Sequence, residues 1–438
     1  MVLGGGLSGC AAAYALAEAG LRVTIIERGR SLGGLAGSFE REGRFYPLGY
    51  HHILHRDHTL LYFLRQINAL DRIRWRRTRM LFRHQNENYN LADPIDFLRF
   101  PLSFVDKARF ATLMLRAYVT RNWDDWQDKS AQDLVDAWAG PRVRQALFEP
   151  LTRLKFDLPC SEVSGAWLGA RLNHREGAAA LGYIPGTNWT QVLCTGMTQL
   201  LIDAGVEVRL ESTVGALHSE NEVVSVVELE NGEQLQTDIV VSTVPTPVYL
   251  DIAPSDTTSG LRDIRDSALL SLVCASKKRV EPDFYWMNLA DMKHAACGIF
   301  QLHALNDSIG APGHSCINFV THLNSRTDPF FSRPDEEIVS AYLDDFKEIF
   351  GFDLDPFWVK LTRVPMYSPV VNPTYRNPPL RSSRFANVYF AGNYRTFPSV
   401  LSTGTALSSG LETAETVLNS LGKGSWLPDA VASFRGRT

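Results

Sequence analysis

The sequence of 438 residues contains few cysteines and no excess of basic residues. No CxxC pair occurs among the six cysteines, which are Cys10, Cys160, Cys194, Cys274, Cys297 and Cys316. This scatter is typical of reduced thiols and argues against a disulfide framework or a zinc site. The net charge of −4 argues against nucleic-acid binding, which leaves a basic footprint.

Long apolar runs are also missing. No uncharged apolar run approaches the roughly 20 residues that a membrane span needs. The stretch from Phe104 to Val119 is apolar but is interrupted by Asp106, Lys107, Arg109 and Arg116. It predicts an amphipathic helix whose apolar face we expect to be buried, with peripheral membrane contact as the alternative. The chain opens on a glycine turn and not on an apolar leader, so we expect a cytoplasmic protein.

What the sequence does contain at its start is a glycine-rich turn between a predicted strand and a predicted helix. The spacing of Gly4, Gly6 and Gly9 fits G-x-G-x-x-G. In this pattern the first glycine permits a tight turn, the second lets the backbone approach a pyrophosphate, and the third lets the helix pack on the strand. Leu7 and Ser8 begin the helix, whose free N–H groups and positive dipole end favour a phosphate.

A carboxylate follows at the position that a dinucleotide requires. The helix is predicted to end at Gly20, and the strand from Arg22 to Ile26 leads directly to Glu27. A carboxylate at a strand end accepts hydrogen bonds from a ribose diol and repels a 2′-phosphate. The segment therefore predicts dinucleotide binding and disfavours NADP.

The next residues identify a family resemblance. The segment from Glu27 to Gly34 reads ERGRSLGG and resembles the E-R-x-x-x-x-G-G signature of the flavin amine oxidase, protoporphyrinogen oxidase and phytoene desaturase superfamily. The resemblance implies bound FAD, with the Gly-Gly pair lying against its phosphates and ribityl chain. Many amine oxidases have arginine at the position that follows this pair. The residues of this segment that the resemblance places against the FAD are Arg28, Gly33, Gly34 and Leu35.

Two more segments resemble the same superfamily. The strand that ends near residue 214 resembles the one whose backbone meets the adenine. Residues 387–393 resemble N-V-Y-F-A-G-D, with Asn393 in place of the acidic residue. The resemblance places the helix that follows against the flavin pyrimidine. No cysteine lies near this motif, which implies non-covalent FAD. The implied contacts are Val214, Gly392, Asn393, Gly404 and Thr405.

The resemblance also implies an α/β fold, in which a Rossmann-like FAD-binding domain is joined to a second α+β substrate domain formed by two insertions. We expect the FAD-binding domain to comprise residues 1–56, 191–265 and 381–438. A mostly helical substrate or cap region takes 57–190, and the substrate-domain sheet and helices take 266–380. No second G-x-G-x-x-G is present, so no nicotinamide domain is expected. Residues 285–291 and 298–303 resemble a bacterial subgroup that is compared with UDP-galactopyranose mutase.

A histidine-containing loop supplies candidate catalytic residues. It resembles the superfamily's G-x-H-x loop, which passes close to the isoalloxazine ring. Either histidine is a candidate general base, although a packed or solvent-facing histidine is the favoured interpretation. The nearby His55 and His58 do not indicate a metal site, because carboxylate or cysteine ligands at a known spacing are missing. The loop consists of Gly49, Tyr50, His51 and His52.

Aromatic and arginine side chains are candidates for the substrate cavity, although each is also an ordinary core or surface residue. The aromatic candidates are Trp167, Tyr183, Trp189, Tyr285, Trp286, Phe300 and Tyr367. Arginines that would clamp a phosphorylated substrate are Arg171, Arg175, Arg376 and Arg395. The candidate catalytic set is His51, His52, Tyr285 and Arg395.

The leading functional hypothesis is an FAD-dependent oxidase or desaturase that transfers a hydride from a small organic substrate to flavin N5. The alternative is a non-redox isomerase or mutase of a nucleotide- or polyprenyl-linked sugar. A non-enzymatic flavoprotein with a closed cavity is a third interpretation.

Overall fold

The computed structural model describes residues 1–173, 180–281 and 283–425. Its helices are α1 (Leu7–Glu18), α2 (His58–Gln66), α3 (Pro94–Arg99), α4 (Phe104–Val119), α5 (Ala131–Trp138), α6 (Pro141–Val143), α7 (Glu149–Phe156), α8 (Gly165–Asn173), α9 (Trp189–Asp203), α10 (Thr246–Ile252), α11 (Leu302–Leu305), α12 (Asp335–Phe350) and α13 (Thr403–Ser420).

The strands of the same residues are β1 (Val2–Leu3), β2 (Thr24–Ile26), β3 (Ser38–Arg41), β4 (Arg44–Pro47), β5 (Arg74–Arg76), β6 (Met80–His84), β7 (Glu87–Tyr89), β8 (Leu181–Tyr183), β9 (Glu207–Arg209), β10 (Val214–Glu220), β11 (Val223–Leu229), β12 (Gln234–Gln236), β13 (Val240–Ser242), β14 (Asp266–Ser276), β15 (Trp286–Leu289), β16 (Gly298–Gln301), β17 (Ser315–Leu323), β18 (Pro356–Pro369) and β19 (Val388–Phe390).

A five-stranded parallel sheet contains the first strand of the chain. Its strand order is β19-β13-β1-β2-β9, so neighbouring strands come from three distant parts of the sequence. Val2 pairs with Val241 on one side and with Ile25 on the other. All three are fully buried, as expected for a parallel sheet covered on both faces. This sheet confirms the Rossmann-like architecture predicted from the glycine turn.

Helices α1 and α13 pack very closely against each other. A Cβ atom added at Gly410 would lie 2.1 Å from the carbonyl oxygen of Ser8, so only glycine fits there. The Ser8 hydroxyl donates a hydrogen bond of 2.7 Å to the carbonyl oxygen of Ala406. The beginnings of both helices are thereby held side by side at one edge of the parallel sheet.

A seven-stranded sheet, of order β18-β14-β17-β16-β15-β6-β7, forms the second large layer. Its strands are paired antiparallel except for β6 and β15, which run parallel. The strand-like sequence pattern of residues 269–275, 298–302 and 316–321 predicts three strands, which correspond to β14, β16 and β17. The α/β class with a second mixed sheet is therefore confirmed.

The β-rich run from Leu235 to Thr243 is divided between two sheets. It forms β12 in a three-stranded antiparallel sheet and β13 in the parallel sheet. Gly232, with φ +85°, lies in the turn between β11 and β12. The amide of Asn387 then donates to the carbonyl oxygens of Val224 and Asp238, at 2.7 and 2.8 Å. These bonds hold the chain where it leaves one sheet for the other.

Helix α4 has the predicted bounds, and part of its apolar surface is buried as expected. Leu113 and Ala117 belong to the core and Asp106 is buried beside them, whereas Phe104 is 81% exposed and Leu115 is 64% exposed. The helix therefore has an exposed apolar stripe in addition to its buried one. In the part of the chain that the structure describes, no helix is both long and apolar enough to cross a membrane.

Candidate functional site

A cavity of about 1320 Å³ lies between the two large sheets. Its wall begins at the glycine turn before α1, includes the loop after β4, and extends to α7, α8, β17 and β18. The start of α13 forms another part of the wall. Cavities for a single drug-sized ligand usually measure about 300–1,000 Å³, so this one has room for a dinucleotide together with a substrate.

The glycine turn forms a backbone cradle at one end of the cavity. Gly4 has φ +100°, which a residue with a side chain rarely adopts. Gly6 precedes α1 and faces the cavity, and a Cβ atom added there would have no protein atom within 4 Å. The first turn of α1 has no side-chain cap, so Leu7 and Ser8 present it open to the cavity. Gly9 packs directly against the turn, since a Cβ atom at Gly9 would lie 2.0 Å from the Gly4 carbonyl oxygen.

The second glycine segment lies against the first. The Gly33 N–H donates to the carbonyl oxygen of Gly5 at 2.8 Å. Gly34 has φ +56°, and a Cβ atom added to it would lie 3.1 Å from the Cα atom of Gly6. Arg28 and Leu35, which flank this segment, also line the cavity. The two glycine segments thus leave a cradle of bare backbone, which suits a pyrophosphate and ribityl chain.

Glu27 connects the two parts of the cradle. Its carboxylate accepts hydrogen bonds from the N–H groups of Gly5 and Gly29, at 2.7 and 2.6 Å. A carboxylate has about four lone-pair sites, so two remain for a ribose diol. Glu27 lines the cavity.

The C-terminal segments complete this part of the wall. Gly392 has φ +143°, and its N–H donates to the Ser409 hydroxyl at 3.0 Å. The Asn393 amide donates to the carbonyl oxygen of Tyr367 at 2.9 Å. Thr405 and Ser402 form a capping box at the start of α13. Val214 and Gly404 also line the cavity, so segments from three distant parts of the chain meet here.

Two histidines lie side by side in the middle of the cavity. His51 Nδ1 lies 3.1 Å from the carbonyl oxygen of Gly49, and His52 Nδ1 lies 3.3 Å from the Tyr285 hydroxyl oxygen. Burial lowers the pKa of both imidazoles, that of His52 to about 4 with help from the charge of Arg171. Both rings are therefore neutral at pH 7 and can accept a proton.

The far end of the cavity combines aromatic rings with cations. Lys155 Nζ lies 4.8 Å from the ring centroid of Tyr367, and Arg171 Cζ lies 5.6 Å from that of Trp167. Burial, together with the charge of Arg171, lowers the pKa of Lys155 to about 7. His322 is buried beside them, and its Nδ1 atom has no hydrogen-bond partner among the described residues. We call Lys155, Arg171, His322 and Tyr367 the inner cluster.

Arg395 is a third cation on the cavity wall. Its Nε and Nη1 atoms are buried without a hydrogen-bond partner. Burial lowers the pKa of this guanidinium, and the charge of Glu412 opposes that shift. Unpaired buried donors are costly, and an acceptor atom placed within the cavity would satisfy these two.

The sequence model of the family described as flavin containing amine oxidoreductase matches residues 7–418. The chain belongs to this family. No curated protein sequence gives a significant match. Membership implies a flavin-dependent enzyme that acts on a small molecule.

Solved structures of other proteins share the fold of this family member. The putative protoporphyrinogen oxidase from Exiguobacterium sp. 255-15 is 18% identical, with a TM-score of 0.78 over 96% of this chain and 98% of that one. Reduced UDP-galactopyranose mutase is 14% identical, with a TM-score of 0.72 over 98% and 95%. Putrescine oxidase bound to putrescine is 13% identical, with a TM-score of 0.71 over 95% and 98%. At these identities the likeness concerns the fold alone.

Most of the residues predicted for the site line the cavity. Two candidate cofactor contacts, Gly9 and Gly49, do not line it. The candidate catalytic residue Tyr285 does not line it either and contacts His52, which does. Among the candidate clamp arginines, Arg376 pairs with Asp128 outside the cavity. Arg175 lies outside the described residues. Of the aromatic candidates, those that line the cavity are Trp167, Trp286, Phe300 and Tyr367.

Lys155 and His322 were not identified from the sequence. Lys155 is an isolated lysine in a helix and carries no distinguishing sequence signal. His322 interrupts the apolar end of β17, and a polar residue within a wholly buried strand was a signal that the sequence offered.

Proposed function

We propose that this enzyme binds FAD non-covalently and transfers a hydride from a small organic substrate to flavin N5, as an oxidase or desaturase. The observation that carries the proposal is the single continuous cavity, which joins the glycine cradle to an aromatic end. When bound, FAD supplies the hydride acceptor. A flavoprotein without a substrate pocket is disfavoured, because the cavity extends well beyond the cradle.

In this proposal the cradle holds the adenosine and pyrophosphate end of the cofactor. Gly4, Gly6 and the open turn of α1 would receive the pyrophosphate, and Glu27 would receive the ribose diol. Val214 would meet the adenine, and the segment from Gly392 to Thr405 would contact the flavin end. These roles are supported by the shared wall on which the residues lie.

Non-covalent binding is supported by the state of the cysteine in the cavity wall. Burial raises the pKa of Cys297 to about 12, so it stays an unreactive thiol. Its Sγ atom lies 4.0 Å from the carbonyl oxygen of His322. No cysteine occurs in the segment from Gly392 to Thr405.

The remaining residues would orient the substrate and exclude water. His51 and His52 are neutral, and either can take a proton from a substrate N–H or O–H group as the hydride leaves. Tyr285 would position His52 through the hydrogen bond between them. The rings of Trp286, Phe300 and Tyr50 pack face to face and form an apolar wall, with the centroids of Tyr50 and Phe300 3.8 Å apart.

The alternative is a non-redox isomerase or mutase of a nucleotide- or polyprenyl-linked sugar. The observation that favours it is the pair of cations at the inner cluster, Lys155 and Arg171, which suits a pyrophosphate. In that case the histidines would move protons without net oxidation of the substrate.

Anaerobic mixing of the FAD-loaded enzyme with substrate separates the two reactions. The first compounds to test are protoporphyrinogen and UDP-galactopyranose, which are suggested by the structural neighbours. A compound that is consumed while the flavin bleaches supports hydride transfer. A sugar that is isomerised by the reduced enzyme without net change in flavin absorbance would establish the alternative and contradict the proposal.

A further inference from the structure

The inner cluster concentrates positive charge that no described acidic side chain neutralises. Lys155 on α7 and Arg171 on α8 both line the cavity, and neither forms an ion pair with any described residue. Lys155 lies over the ring of Tyr367, and Arg171 lies over the ring of Trp167. By contrast, the other cavity cation with a shifted pKa, Arg395, has the charge of Glu412 nearby.

Burying two cations together, with no described acidic side chain to pair them, is costly, because each loses hydration and each repels the other. A ligand of opposite charge would offset this cost. His322 contributes a buried nitrogen without a partner on the same wall, which a ligand oxygen would satisfy. The cofactor phosphates have their own cradle, formed by the glycine turns of the parallel sheet, whereas the inner cluster belongs to α7, α8, β17 and β18.

We propose that Lys155 and Arg171 bind an anionic oxygen group of the substrate, a carboxylate or a phosphate. This inference rests on the proposed function, since it assigns the inner end of the cavity to the substrate. Arg171 offers paired N–H donors, and Lys155 offers a point charge. The substrate is therefore an anion, whichever reaction it undergoes.

The test uses the FAD-loaded enzyme and three probes: glutarate, pyrophosphate and neutral 1,5-pentanediol. Binding is followed by the fluorescence of the cavity tryptophans, Trp167 and Trp286, which does not depend on turnover. We expect one of the two anions to bind and the diol not to bind. Arg171→Met and Lys155→Met should each weaken binding about tenfold or more, with partial recovery in Arg171→Lys.

Arg153→Met is the matched control, because Arg153 is on the same helix as Lys155 but pairs with Glu149 and does not line the cavity. Preference for glutarate or for pyrophosphate distinguishes a carboxylate from a phosphate. Absence of anion binding, or equal binding by Arg171→Met and wild type, overturns the inference. Failure to load FAD is seen separately in the absorbance spectrum and would instead contradict the proposed function.

A second inference comes from the surface formed by α3 and α4. The seven most exposed large apolar side chains of the described chain all lie on these two neighbouring helices, each between 58% and 81% exposed. Soluble proteins rarely leave so many together without a partner. We call them the outer stripe: Ile95, Leu98, Phe104, Val105, Leu115, Tyr118 and Val119.

The two helices form one continuous face. The rings of Phe97 and Phe110 have centroids 5.2 Å apart, and Lys107 Nζ donates to the carbonyl oxygen of Leu98 at 2.8 Å. On α4 the outward residues recur every three or four positions, opposite the inward Leu113 and Ala117.

Positive charge accompanies the outer stripe. Residues 94–121 contain five basic and two acidic side chains, a net charge of +3, although the whole sequence has −4. Both acids point inward: Asp106 has a side chain only 6% exposed, and Asp96 one 20% exposed. Long basic side chains at the edge of an apolar stripe can reach lipid headgroups while their stems stay in apolar surroundings. The basic residues are Arg99, Lys107, Arg109, Arg116 and Arg121.

We propose that the outer stripe binds the surface of an anionic lipid bilayer, with α4 lying in the plane of the headgroups. The test is co-sedimentation of the FAD-loaded protein with phosphatidylcholine vesicles that contain or lack about 30 mol% phosphatidylglycerol. We expect binding to the anionic vesicles, which high salt weakens and which the double variant Phe104→Glu/Leu115→Glu abolishes.

Ile202→Glu is the matched control, because Ile202 is about half exposed on α9, away from the outer stripe. Equal thermal melting of the variants checks that the fold is kept. Lack of binding to anionic vesicles, or unchanged binding by the double variant, overturns the inference. A dimer of the wild type that the double variant dissociates would assign the surface to a second copy of the chain and overturn it too.

Discussion

Among the residues of the cradle, Gly6 is the best position for a substitution that impairs cofactor binding without disturbing the fold. Its φ of −68° is open to every residue type, and a Cβ atom would meet no protein atom within 4 Å. Gly6→Val should therefore fold normally but fill the place proposed for the pyrophosphate. We expect its FAD affinity to fall about 100-fold, a loss of about 2.7 kcal/mol, measured by titration of the apoprotein.

Glu18→Val is the control for that substitution, since Glu18 is exposed at the opposite end of α1. It should leave FAD affinity unchanged. Wild-type affinity in Gly6→Val would show that the cofactor does not use this turn.

Lys155 should make anion binding depend on pH in the neutral range. Burial and the charge of Arg171 lower its pKa to about 7, so the free enzyme loses this cation as pH rises through 7. Anion affinity is then highest below pH 7 and should fall about fivefold between pH 7 and 8. The measurement is the dissociation constant of the anionic probe at several pH values.

The groups around Lys155 do not titrate in that range. Burial lowers the pKa of His322 and of His52 and raises those of Tyr50, Tyr367 and Cys297, so all five are neutral at pH 7. Burial lowers the pKa of the Arg171 guanidinium from a strongly basic value, and Arg171 stays charged. Lys155→Met should remove the pH dependence, and its persistence in that variant would assign the titration to another group.

At the scale of elements, the contact between α1 and α13 determines where two of the proposed cofactor-binding segments lie. Gly410→Ala would place a Cβ atom 2.1 Å from the Ser8 carbonyl oxygen and force the helices apart. We expect the free energy of unfolding to fall by about 1–3 kcal/mol and FAD affinity to fall with it. Urea denaturation measures the first effect and FAD titration the second.

Asn419→Ala tests the same helix at an exposed position and should change neither quantity. Unchanged stability in Gly410→Ala would mean that the helices tolerate a wider spacing than the close packing indicates.

Elements whose signals are local in sequence were predictable. The turn from Gly4 to Gly9, helix α1 and the strand ending before Glu27 follow one another within 27 residues, and each carries its own signal. The orientation of α4 was not predictable in the same way. Periodicity indicates which apolar residues share a face, but which face meets the core depends on what packs beside it. Here Leu113 and Ala117 face the core, whereas Phe104 and Leu115 face outward.

The inner cluster was the least predictable part of the site. Lys155 and His322 are distant in sequence and meet only because α7 packs on β17. Nothing near either residue in the chain indicates the other. The predicted cofactor contacts had short motifs to identify them, whereas the substrate end depends on tertiary packing.

At the scale of the whole molecule, we propose the division into an FAD-binding domain of residues 1–56, 191–265 and 381–438 and a substrate domain of residues 57–190 and 266–380. The sheets support it: the parallel sheet draws its strands from the first set, and the seven-stranded sheet draws its strands from the second. The cavity lies where the two sets meet, so cofactor and substrate would be enclosed between them.

The central claim is that this cavity holds one non-covalent FAD. Precipitating the purified, FAD-incubated protein with acid and analysing the supernatant by chromatography tests it directly. We predict close to one FAD per chain in the supernatant and a colourless pellet. A protein that retains no flavin after incubation with FAD, that releases FMN instead, or whose flavin stays in the pellet would contradict the account.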